Sequence, residues 1–220
     1  MHAYTPNPAD PADMLMAGYA AGTLSPSLHA LVEAHLELSP RNRDYVRSLE
    51  ALKAQSLVEV EPQPLSDRDR ALAAIFAVDA AGRALATPDE VEPDEVFPRS
   101  LSRFLNVRSQ DVPWRFRLPG VKEYRVSESE RGEAMLYWIR AGRGMPSHTH
   151  EGLEVTLVLR GGFTDPLGHY RRGDIAVADA ELDHHPQADS DEDCVCFAVT
   201  DGPLTLTGPL ARLFRKIRGH

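Results

Sequence analysis

Cysteine is nearly absent: of 220 residues only Cys194 and Cys196 carry a thiol. One residue apart in Asp193-Cys-Val-Cys-Phe-Ala-Val, they cannot close an unstrained disulfide. That excludes a bridge-stapled secreted domain and fits a compartment that keeps thiols reduced. Basic charge is also short, with 24 Lys and Arg against 33 Asp and Glu and a formal charge of −9. A nucleic-acid groove is excluded as the main surface, and basic partners fit better. No apolar run reaches the length needed to cross a bilayer, and the opening Met-His-Ala-Tyr-Thr-Pro lacks the basic-then-apolar layout of a signal peptide. A cytoplasmic chain without membrane or direct nucleic-acid contact is expected. No internal repeat is visible.

The first third of the chain has helical periodicity. Ser25-Pro26 is an N-cap followed by proline in the first turn, and Leu28, Leu31, Val32 and Leu36 recur at three and four. Ser39-Pro40 repeats the start signal, with Tyr45, Leu49 and Leu52 as the expected buried stripe of the next helix. A short helix is expected over 12–21 and another over 66–78, the latter with Leu72, Ile75 and Phe76 on one side. Residues 81–98 are rich in proline and acid and read as a self-repelling linker. Short turn-bounded strands follow, around 115–118, 122–127, 134–140, 154–159, 174–178 and 194–200. A basic amphipathic tail from Pro209 is expected to cap the β-domain. The fold class expected is a multi-domain α+β chain: helical module 1–80, linker 81–98, all-β domain 99–220.

Chemistry concentrates in Gly142-Arg-Gly-Met-Pro-Ser-His148-Thr-His150-Glu-Gly-Leu-Glu154, continuing to Gly161 in the pattern G-x5-H-x-H-x3-E-x6-G. On one extended strand His148, His150 and Glu154 face the same side, so two imidazoles and a carboxylate converge. The pattern resembles the first motif of the cupin superfamily, small antiparallel barrels or jelly rolls that hold a divalent metal. Its second motif, G-x5-P-x-G-x2-H, is present in altered form. Gly173 opens it, Asp179 and Glu181 replace the proline and glycine, and His184 stands at the histidine position. His184 is the expected fourth ligand, with His185, on the opposite face, as the alternative. His169, His185 and His220 read as packing or surface residues. Nitrogen and oxygen donors of this kind suit zinc, iron, manganese, nickel or copper. Cys194 and Cys196 share a strand face, as a buried apolar pair or as a redox-active or metal-adjacent one.

Joined to Tyr19-Ala-Ala-Gly-Thr-Leu24 in the helical part, the segments Gly152-Leu-Glu154-Val-Thr-Leu-Val-Leu, Gly173-Asp-Ile, Glu181-Leu-Asp-His184 and Cys194-Val-Cys196 resemble the ChrR-type anti-sigma factors over nearly the whole chain. The resemblance implies a helical module that sequesters an extracytoplasmic-function sigma factor. It also implies a zinc-loaded cupin needed for the response to singlet oxygen or organic hydroperoxides. Carried over, His148, His150, Glu154 and His184 are the cupin zinc ligands, and Cys194 and Cys196 lie near the sensing chemistry. One departure is large. Modules of this type bind a second zinc through an upstream histidine and H-x3-C-x2-C. Here only His35 remains, with Ser39 and Asn42 at the cysteine positions and the upstream position near Asp10. Without thiolates no zinc is expected in the helical module, and His35 reads as a packed or partner-facing residue. A cupin metalloenzyme, such as a small-molecule dioxygenase, is the alternative function, because the same ligands leave positions open for substrate. Self-association stays open.

Overall fold

The structure is a computed structural model that describes residues 11–58, 60–62, 64, 66–80, 94–129, 132–202 and 204–207. The expected tail helix from Pro209 and residues 81–93 of the expected linker lie outside the described residues. Among those described, five α-helices precede eleven strands, the expected order of helices and then antiparallel sheet. No helix among them is long and apolar enough to cross a membrane.

Helices α2 (Pro26–Leu38) and α3 (Pro40–Val58) start where the proline signals place them, and α1 (Pro11–Ala21) spans the short helix expected over 12–21. Ser25 caps α2 by accepting from the Leu28 amide at 3.4 Å. Six residues of α2 are buried, from Ala30 to Leu36, because α2 lies between the other helices and the sheet. The stripe expected on α3 ends early: Val46 is buried, Tyr45 and Leu49 are half-buried, and Leu52 is 64% exposed. Helix α4 (Arg68–Ala80) keeps Leu72 half-buried but leaves Ile75 and Phe76 exposed. The apolar periodicity there has no counterpart within the described part of the chain. In α5 (Arg99–Leu105), which has no cap of its own, the Glu37 carboxylate of α2 accepts the Arg99 and Ser100 amides at 3.0 and 2.7 Å. Just before it, Asp94 accepts from Val96, Phe97 and Ser109 amides and the Ser109 hydroxyl, so residues 94–98 are held in place.

The strands are β1 (Arg115–Leu118), β2 (Val121–Ser129), β3 (Gly132–Ile139), β4 (His148–His150), β5 (Glu154–Arg160), β6 (Gly162–Asp165), β7 (Gly168–Arg171), β8 (Ile175–Ala178), β9 (Gln187–Ala188), β10 (Cys194–Thr200) and β11 (Leu204–Leu206). They form antiparallel sheets in the orders β1-β2-β3-β10-β5-β8, β11-β4 and β7-β6-β9. Alternation along β5 and β10 divides their side chains between two cores. Val155, Leu157, Leu159, Phe197 and Val199 join Leu31, Val32 and Met16 under the helices. Val158 and Cys194 join Ile139, Met145 and Phe163 between the six- and three-stranded sheets. The sequence reading placed His148 and His150 on a strand but lacked β6, β7, β9 and β11, which are short or polar and carry little periodic signal.

Truncating Leu157, which has no solvent exposure, is expected to cost about 2–5 kcal/mol in urea unfolding. Phe76→Ala, at an exposed position, should stay within about 0.5 kcal/mol of the parent.

Candidate metal centre

His148, His150, Glu154 and His184 come together, with one donor atom of each within 4.8 Å of the others. The two histidines of β4 share a face by strand alternation, as expected. Glu154 arrives differently. The strand breaks after His150, and Gly152, at φ +109°, turns the chain into β5, where Glu154 is the first residue. The single-strand account of its position is therefore corrected: a turn, not alternation, returns the carboxylate. His184 is set by a reciprocal backbone pair, its amide donating to His148 O at 3.1 Å and accepting at its own carbonyl from His148 N at 3.0 Å. Its neighbour His185 is exposed. His169 pairs with Asp189 at 2.8 Å away from this cluster, and His220 lies outside the described residues.

The three imidazoles are 2–3% exposed and their rings lie 4.4–5.3 Å apart. His150 Nε2 is 3.1 Å from His184 Nε2 and 3.0 Å from a Glu154 oxygen. Donors around a tetrahedral zinc with bonds near 2.05 Å stand about 3.3 Å apart, so these spacings suit one small cation. The outer nitrogens agree. His148 Nδ1 donates to Pro146 O at 2.6 Å, which leaves its Nε2 lone pair free. Nδ1 of His150 has no hydrogen-bond partner, and Nδ1 of His184 faces the buried Asp165 carboxylate at 3.5 Å. Asp165 was not singled out from the sequence. It accepts the Leu167 and Gly168 amides of the β6–β7 turn, so its Asp-Pro-Leu-Gly context signals a turn and nothing more. Carboxylates behind ligating histidines fix ring orientation and tautomer.

Burial sets the charge state. It lowers His148 and His150 to about 4, with neighbouring imidazoles adding to it, and lowers His184 against the opposing pull of Asp165. It raises Glu154 to about 7, partly offset by the Thr156 hydroxyl donating at 3.1 Å. Three neutral nitrogen donors and a reluctant carboxylate are the donor set that a divalent cation completes. Cys194 and Cys196 are free and buried. The Cys196 thiol is pushed well up by Cys194, then by burial and Glu154, so it rests as a thiol. Tyr137, opposite Cys196 in register, is raised by burial and by Glu154. In the helical module, Ser39 and Asn42 offer no thiolate and His35 is occupied by hydrogen bonds at both ring nitrogens.

The opposed shifts give a signed expectation for metal-free protein. Glu154, raised from 4.5 to about 7, keeps a proton that the unfolded chain releases, so its contribution to stability falls as pH rises through that window. His148 and His150, lowered from 6.5 to about 4, act in reverse and remove stability as pH falls through theirs. Glu154→Gln should therefore raise the urea midpoint of metal-free protein at pH 8, with the gain fading towards pH 5.

The chain is similar to known proteins along most of its length. Residues 102–205 match the family model described as the ChrR cupin-like domain. The anti-sigma-E factor ChrR of Cereibacter sphaeroides is 36% identical over 202 residues, 91% of this chain and 93% of that protein. A solved structure of Rhodobacter sphaeroides SigE in complex with the anti-sigma ChrR matches at 34% identity and a TM-score of 0.71, covering 86% of this chain and 96% of that one. A putative acetylacetone dioxygenase from Methylibium petroleiphilum matches at 18% identity and a TM-score of 0.41, over 48% of this chain and 81% of its own. That likeness is too distant to bear on activity. The similarity to ChrR runs through helices and sheets alike, and this chain belongs to the ChrR family of cupin-containing anti-sigma factors.

Proposed function

We propose that the chain is a non-enzymatic, cytoplasmic anti-sigma factor. Its N-terminal helices hold an extracytoplasmic-function sigma factor, and its cupin takes one zinc ion through His148, His150, Glu154 and His184 and responds to singlet oxygen or organic hydroperoxide. The observation that carries this reading is the end-to-end likeness to a protein solved with a sigma factor. Exposed apolar side chains on the helices add to it: Leu52, Leu57 and Val58 on α3, and Ile75 and Phe76 on α4, are each at least 60% exposed. Exposed apolar side chains such as these are what a docked partner would bury, and the net charge of −9 favours a basic partner through electrostatic steering.

Within the cupin, the ion would supply a charge that holds β4, β5 and the His184 segment together. The chain's own residues do the remaining work. Pro146 O and Asp165 orient His148 and His184, Thr156 steadies the carboxylate, and Cys194 and Cys196 are the buried thiols of β10, the strand that pairs with β5. Oxidation of one thiol by a hydroperoxide, which departs as the alcohol, introduces a polar group into a fully packed interior. A buried change of that kind favours an altered barrel, and partner release requires such a difference between states. A dioxygenase-like role would need a redox-active metal in the same donor set, so metal identity separates the two readings.

Co-expression with candidate sigma factors is expected to yield a complex containing about one zinc per chain, measured by elemental analysis of the purified complex. His148→Ala should lose that zinc. Iron in place of zinc, with oxygen consumption, would favour the enzyme. Replacing both cysteines by serine should abolish hydroperoxide-driven sigma release in a pull-down, and unchanged release would remove the thiols from the mechanism.

A further inference from the structure

Among the described residues, His35 is the one buried imidazole outside the candidate metal centre, 5% exposed on α2. Its Nδ1 lies 2.6 Å from the Gly173 carbonyl oxygen, 138 residues away on the β7–β8 turn. Its Nε2 lies 2.8 Å from the Asn42 amide nitrogen on α3. A carbonyl only accepts, so Nδ1 carries the proton. Nε2 is then a lone pair that accepts from Asn42, and one neutral tautomer satisfies both contacts. No lone pair remains for a metal ion.

The far side of this contact is equally constrained. Gly173 has φ +92°, and a Cβ there would stand 3.2 Å from the Cβ of Leu38, so the end of α2 sits directly on the turn. The turn is stitched to β5: Gly173 N donates to Val158 O at 2.8 Å and Val158 N to Asp174 O at 3.1 Å. The strand that follows, β8, pairs with β5 until Ala178 lies opposite Glu154. A continuous set of contacts therefore runs from the α2–α3 corner to the carboxylate of the metal cluster.

We infer that His35, fixed in its Nδ1–H tautomer by Asn42, is a latch that seats the α2–α3 corner on the Gly173 turn and couples the helices to the β5–β8 strand pair of the barrel. The coupling deepens the proposed sensing role by naming where the two modules communicate. It rests on that reading only for what the helices hold. Leaving Gly173 O buried without its donor is costly, so the corner and the turn should loosen together when the latch is removed.

The test uses the full chain without sigma factor. Nitrogen-15 spectra of the histidine rings should show His35 as the neutral Nδ1–H tautomer. His35→Ala should speed amide exchange about tenfold or more at both Ser39 and Gly173. Asn42→Ala, whose side-chain hydrogen bond goes to His35 and not to the barrel, should produce the same pattern with smaller amplitude, and it carries the test if His35→Ala does not fold. An Nε2–H tautomer, or faster exchange confined to the helices with the Gly173 turn unchanged, would overturn the latch. So would stoichiometric zinc that His35→Ala loses and His148→Ala retains. None of these readouts depends on sigma binding, so failure of the latch and failure of the anti-sigma reading are separable.

Discussion

Strand β5 is buried on both faces, and the two halves of the molecule meet through it. Val155, Leu157 and Leu159 point into the core that α2 covers. Glu154, Thr156 and Val158 point the other way, towards the metal cluster and the inner core. A strand in this position cannot be displaced on one face without disturbing packing on the other, because interiors at crystal-like density transmit strain instead of absorbing it. The sheet needs the helices to cover its outer face, and α2 needs the sheet to bury residues that lie almost all around it.

Several polar groups within this packed arrangement have well-defined partners. Glu37 caps α5, Asp94 gathers four donors, and His35 uses both ring nitrogens. Against that background the cluster at His148, His150, Glu154 and His184 stands apart. It contains close-facing acceptors, an unpartnered ring nitrogen and a carboxyl held towards its neutral form by burial. Such an arrangement costs stability in the absence of a cation and is relieved by one. Among its described residues the helical module has no thiolate and no buried side-chain polar atom left without a partner. Asn42 and the Gly173 carbonyl occupy the His35 ring instead.

Much of this was legible in the residues. Proline and serine at 25–26 and 39–40 mark helix starts through backbone chemistry confined to one turn, and α2 and α3 begin there. The spacing of His148, His150, Glu154 and His184 belongs to a recognisable motif, and all four side chains meet. Periodicity on α3 and α4 was a poorer guide. It identifies an apolar face without saying what covers it, and Leu52, Ile75 and Phe76 are exposed.

The sequence by itself determined the local terms: helix caps, strand alternation, donor types, the lack of thiolates in the helical module and a cysteine pair unable to bridge. These depend on interactions within a few residues, which the order of side chains specifies. Tertiary structure alone decided that Glu154 enters from a second strand after a turn, that Asp165 stands behind His184, and that His35 reaches Gly173. The Asp165–His184 and His35–Gly173 contacts join segments whose separation along the chain carries no local signal. Only the packing of one buried sheet against its helices brings them within hydrogen-bond or ion-pair distance.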